Sequence, residues 1–280
     1  MTIVYALLSL AFAGVNDVVF RGYGRERRPV GLFVCLVGVV WTSVFLVLGA
    51  VRGTLDFSAP AVALGGVSGV LSAVANLLLV EMMKKTGATV AATIYRLNLV
   101  FVAVIAFIFL GEVVTGYKLV ALVCAVVAVL LFANGGASRT TLDKYILILV
   151  GASFLRACMG ICYKVASNLA VSSEVFLAIN GVCWLVAGGV YFLWRQERAL
   201  PCGRSVFGYA LLSGFLICGI VLFMKLAVSV GDASVAVTIS QFSFLVTCPV
   251  AVVVLKEKCT AKQLAGITLA TVCVVLFAHG

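Results

Sequence analysis

The chain has 280 residues, 64% of them apolar and 11% charged, with 20 Lys and Arg against 10 Asp and Glu. Soluble domains run at about 45–50% apolar and about 25% charged, so a water-soluble globular fold is excluded, and the mean hydropathy of +1.25 agrees. The lone histidine, His279, excludes a histidine-based catalytic or metal cluster.

At about 20 residues per membrane-crossing helix plus a short loop, the length holds about ten spans and no soluble domain. In chain order the apolar runs predict spans over 2–20, 30–50, 61–83, 88–110, 115–133, 145–167, 173–194, 205–227, 233–255 and 261–278. The first lacks a basic leader segment and reads as a retained span. Pro29 and Pro60 stand where helices two and three begin, Pro201 lies in the loop before span eight, and Asn134-Gly135-Gly136 gives a C-cap signal after span five. The ten cysteines contain no Cys-x-x-Cys pair and read as small apolar helix residues.

Residues 88–133 and 233–278 align without a gap at a constant offset of 145, with sixteen of 46 positions identical. Ala-x-Val-Ala-x-Thr-Ile, Leu-x-Glu-x-x-Thr and Leu-Phe-Ala recur, and Glu112 matches Glu257. The chain is therefore a duplication, divided at 1–136 and 137–280. Five spans per copy is an odd number, so the second copy enters the membrane from the opposite side. The expected fold is all-α and polytopic, with ten transmembrane helices as two inverted five-helix repeats, an architecture typical of secondary transporters. Odd-numbered loops carry fourteen Lys and Arg against four on the other side, which places those loops in the cytoplasm of a multi-pass cell-membrane protein and both termini outside.

Leu110-Gly111-Glu112 with Thr115, and Leu255-Lys256-Glu257 with Thr260, each close an Ala-rich fourth span of a repeat. In this the chain resembles the drug/metabolite transporter superfamily, EamA-domain type. The resemblance implies the ten-helix fold and transport, without fixing a substrate. Familiar members are described with both termini in the cytoplasm; the charge count here gives the reverse.

Charge buried in hydrocarbon is costly and marks candidate sites. Arg96 lies roughly 12 Å into span four and Arg156 roughly 17 Å into span six, at about 1.5 Å per residue. Asp17 and Glu81 approach the membrane side from which span four starts, and either is a candidate partner for Arg96. The offset maps Arg96 onto Gln241, Asn98 onto Ser243 and Thr93 onto Thr238, so Thr238 and Gln241 form a polar stripe on span nine. Asn16 adjoins Asp17 and is expected to share its pocket; Asn76 and Tyr95 are further candidates in spans three and four. For each of these the alternative is helix-to-helix glue. Pro249 predicts a kink in span nine, and Glu112 and Glu257 read as caps or loop-packing groups.

These residues point to a transporter that moves a small anionic or zwitterionic metabolite by rocking of its two halves, arginine's planar fork suiting carboxylate or phosphate. The expected partners are this substrate, membrane lipid and a coupling proton or counter-substrate, with no nucleic acid and no cofactor. Other readings are an exporter of amphipathic or cationic compounds, a membrane enzyme, which lacks a nucleophile–base or metal constellation, and a non-transporting scaffold.

Overall fold

A computed structural model describes residues 1–24, 26, 28–86, 88–113, 115–133, 144–195, 203–255 and 260–279. Asn134-Gly135-Gly136, Pro201 and Glu257 lie outside them. The described residues form twelve helices and no strand: α1 Thr2–Gly24, α2 Val30–Arg52, α3 Ala59–Thr86, α4 Ala88–Arg96, α5 Asn98–Phe109, α6 Gly116–Ala133, α7 Lys144–Asn168, α8 Ser173–Trp194, α9 Arg204–Val230, α10 Ala233–Ser240, α11 Phe244–Leu255 and α12 Ala261–His279. Eight segments are long and apolar enough to cross a membrane, with α4 and α5 contributing to one and α10 and α11 to another. The described parts of α6 and α12 are shorter apolar helices, Gly116–Leu131 and Ala261–Phe277.

The expected fourth and ninth spans are each interrupted. Leu97 N–H bonds both Thr93 O and Ile94 O, and Val100 N–H bonds Leu97 O. In the second copy Gln241 N–H bonds Val237 O and Thr238 O, Phe242 N–H bonds Ile239 O, and Leu245 N–H bonds Phe242 O. Both interruptions are turns tightened to the i→i+3 pattern, at Leu97 and Phe242, which are counterparts 145 residues apart. Neither contains Pro or Gly. Pro249 lies inside α11, beyond the turn. Mid-helix tightening of this kind often marks a hinge.

The helices are apolar all round, so polarity does not set the inward face; alanines and a set of aromatics such as Trp41, Phe45 and Phe176 fill the interior. Ala6, Ala61, Ala91, Ala106, Ala121, Ala125, Ala152 and Ala270 are completely buried, while large aliphatics such as Val47, Ile108, Leu147 and Val190 are exposed. The most extensive contact joins α2 to α8. There a Cβ on Gly38 would overlap the Leu185 backbone nitrogen, and one on Gly188 would overlap that of Cys35.

The packing repeats across the two copies. α1 lies against α9 and its counterpart α7 against α3; α2 touches α9 and α8 touches α3; α6 pairs with α12. α1 also packs on α10 and α11, as α7 does on α4 and α5. The large contacts all run between the copies, so the two copies interlock instead of sitting side by side.

Two of the described connections are tied down by side chains and caps. Gly53, at φ 66°, ends α2, where Thr54 N–H reaches back to Gly49 O. Ser172 caps α8 through Val175 N–H and donates to Thr54 O at 2.6 Å. At the opposite end Arg28 lies over the rings of Tyr23 and Tyr209, 5.5 and 4.8 Å from their centroids.

Candidate functional site

The site is built where the two tightened turns meet α1. Arg96 is the last residue of α4, so its guanidinium leaves the helix at the break. Its Nη2 lies 2.7 Å from Asp17 Oδ2 on α1, and its Nη1 donates to Gln241 O at 3.2 Å. The same Asp17 oxygen accepts from Ser243 Oγ at 2.7 Å and from Thr247 Oγ1 at 3.1 Å. Phe244 places its ring 5.6 Å beneath the guanidinium. One ion pair thus pins α1, α4 and the α10–α11 turn together. Its side chains retain 18% and 34% exposure, so the pair is sheltered without being sealed.

Arg156 differs. It stands mid-way along α7, half-buried, and among the described residues no carboxylate lies within ion-pair distance; its Nη1 meets Met159 Sδ at 3.2 Å. Gly160 and Tyr163, one and two turns further along α7, are buried, which turns this side of the helix toward the bundle interior. Arg156, Gly160 and Tyr163 follow one another on a single face of α7. At Gly160 this face meets Val237 of α10 and Val102 of α5, 3.3 and 3.8 Å from where a Cβ would stand.

The remaining candidates fall in different places. Glu81 does not pair with Arg96. It accepts from Arg195 and from the Tyr191 hydroxyl, tying the end of α3 to that of α8. Asn16 does not share the Asp17 pocket, because neighbouring helix positions point about 100° apart. It is 6% exposed and accepts from Ser213 Oγ at 2.8 Å, joining α1 to α9. Tyr95 packs near Leu79, Ala91 and Leu149, away from Asp17, and its carbonyl accepts from Ser153 at 3.3 Å. Asn76 Nδ2 and Thr238 Oγ1 are buried and have no hydrogen-bond partner among the described residues. Gln241 contributes its backbone carbonyl.

Further residues complete the picture, Glu112 among them in the capping role expected from the sequence. Ser243 and Thr247 hold Asp17, and Asn98 opens α5 fully buried. At the membrane face opposite Glu81, Lys118 pairs with Asp232. Glu112 accepts from Ala233 N at 2.6 Å, Ser234 N at 3.2 Å and the Ser234 hydroxyl, capping α10 from the other copy. Nearby, Lys164 of α7 donates to Val228 O and Gly231 O at the end of α9, while Lys225 of α9 donates to Tyr163 O and Ser167 Oγ at the end of α7. Each lysine sits on the carbonyl-rich terminus of the other's helix, where a cation is favoured.

The described residues contain no cluster of three or more His, Cys, Asp or Glu that could hold a metal ion.

A solved structure described as "Crystal structure of protein" shares the fold, with a TM-score of 0.82 and 14% identity over 99% of this chain and 96% of that one. No curated protein matches the sequence. The sequence pattern of the EamA-like transporter family matches twice, over residues 1–134 and 143–278. With nearly the whole chain covered by two copies of that pattern, the protein belongs to the EamA-like transporter family and is a multi-pass membrane protein.

Proposed function

We propose that the chain is a secondary transporter carrying a small anionic metabolite, its carboxylate or phosphate held by Arg156, by alternating access through ten spans arranged as two inverted repeats. The observation that carries this reading is the charge balance at depth. Asp17 compensates Arg96 at 2.7 Å, whereas Arg156 has no acidic partner among the described residues. One uncompensated cation in a low-dielectric interior favours an anion entering beside it. A zwitterion would leave that charge in place, and a cation would add to it.

The interlocked packing bears on how access alternates. If the sequence halves rocked as units, the α2–α8, α1–α9 and α3–α7 contacts would all have to part. The contacts favour moving bodies of mixed origin, α1 with α9 to α11 on one side and α3 to α5 with α7 on the other. The Arg96–Asp17 pair bridges these two bodies. Its release, by protonation of Asp17 or by a substrate anion competing for Arg96, would let them separate on the side of the odd-numbered loops. Asp17 is thereby the proposed site of proton coupling. Those loops are proposed to face the cytoplasm, where their basic residues meet anionic lipid.

Thermal stability of the detergent-purified protein tests the reading, because a ligand for the folded state raises the melting temperature by mass action. Carboxylates and phosphorylated metabolites are expected to stabilise the wild type and to lose that effect in Arg156→Gln. Stabilisation by organic cations alone, or anion shifts that persist in Arg156→Gln, would overturn it.

A further inference from the structure

Among the described residues, two buried side chains, Asn98 on α5 and Thr238 on α10, hold polar atoms without hydrogen-bond partners. Asn98 has no exposed surface, and neither its Oδ1 nor its Nδ2 makes a hydrogen bond; Thr238 has no exposed surface and its Oγ1 is equally unpaired. Such groups lower stability when nothing meets them and call for a specific explanation.

Their register is fixed by Gly160, on which Val102 of α5 and Val237 of α10 converge. Asn98 lies one helical turn from Val102 toward the odd-numbered loops. Arg156 lies one turn from Gly160 in the same direction. Thr238 follows Val237 toward the same side, its side chain turned about 100° from that of Val237. The orphaned amide, the orphaned hydroxyl and the uncompensated guanidinium therefore lie within about one helical turn of each other along the bundle.

We propose that Asn98 and Thr238 read a hydroxyl group next to the carboxylate bound at Arg156, so that the substrate is a hydroxy acid. This rests on the anion-transport reading and narrows it. A side-chain amide presents one acceptor and one donor on adjacent atoms. A hydroxyl both donates and accepts, and satisfies both; the threonine hydroxyl has the same dual character. An ammonium only donates and leaves Nδ2 unmet. A methylene satisfies neither. Sites that hydrogen-bond a buried hydroxyl discriminate strongly against the analogue lacking it, because their own polar groups are otherwise stranded.

The test compares lactate and glycerate with propionate, and with alanine, by thermal shift and by uptake into proteoliposomes. The wild type is expected to prefer the hydroxy acids over propionate by at least about tenfold, with alanine no better than propionate. Asn98→Leu and Thr238→Val are expected to bring that ratio toward one. Asn98→Leu, which removes an unpaired amide, is also expected to leave the ligand-free melting temperature unchanged or raised. A ratio near one in the wild type overturns the hydroxyl assignment while leaving the transport reading intact, and so does a preference for alanine or a ratio preserved in both variants. If no carboxylate binds at all, both readings fall together.

Discussion

Arg96 and Gln241 occupy the same position in the two repeats, 145 residues apart, and they touch: the guanidinium of one donates to the backbone carbonyl of the other at 3.2 Å. The contact exists because both fourth-span helices tighten at the same point, which brings their ends together. Each repeat supplies half of the arrangement, one a cation and the other a carbonyl. Asp17 completes it from α1, and its duplicate helix α7 presents Arg156 to the interior instead of a second acid.

The ion pair makes the first prediction. Asp17→Asn leaves Arg96 with only a carbonyl and should lower stability by about 1–3 kcal/mol, less than a fully buried pair because both groups keep some exposure. Arg96→Gln on that background should restore most of the melting temperature. Transport should remain lost in the double variant. Recovery of uptake together with stability would show the pair to be a clamp alone.

A second prediction concerns Glu112. It meets three donors at the start of α10, so Glu112→Ala should cost about 1–2 kcal/mol, the range for a lost helix cap. Glu112→Gln, which keeps acceptor capacity, should cost less. Thermal unfolding of both variants in one detergent measures the difference.

The α2–α8 seam gives a third. At Gly38 and Gly188 the facing backbone stands where a side chain would be. Gly38→Val and Gly188→Val should each lower the yield of monodisperse protein and the melting temperature by several degrees. Gly66→Ala, where nothing lies within 4 Å of the added carbon, is the control and should behave as wild type.

Orientation is open to direct measurement. A cysteine placed at Asp56, in the loop between α2 and α3, should react with a membrane-impermeant maleimide on intact cells. One placed at Glu26 should react only after permeabilisation. The native cysteines with described side chains are half-buried or buried in the helices, so their background should be low.

How far the sequence revealed this arrangement depends on the type of signal. Helix positions and the duplication were legible because hydropathy and identity at fixed spacing are local properties of the chain. Arg96 stood out because charge in hydrocarbon is rare, and Asp17 because few acids lie within its reach. Of the two acids that could meet Arg96, Asp17 does so and Glu81 takes Arg195 instead, because α3 and α8 finish side by side, which only packing shows. Asn16 was grouped with Asp17 by adjacency, although consecutive helix residues diverge. The turns at Leu97 and Phe242 carry no Pro or Gly, so no residue type announced them. Asn98 attracted notice only as the counterpart of Ser243; its unmet hydrogen bonds are a property of its surroundings.

The interlocking of the two copies also has a consequence for biogenesis. When the first five helices have left the ribosome, α2 still lacks α8, α1 lacks α9, and α6 lacks α12. Lateral association must wait for the second half of the message to be read, and until then the small-residue faces of the early helices are open to lipid or to other proteins. Neither half expressed alone should settle into a stable unit, whereas the two produced together as separate polypeptides should find each other and survive extraction as a complex. A gene cut at the junction between the copies would then yield a working protein only when both fragments are present in one membrane.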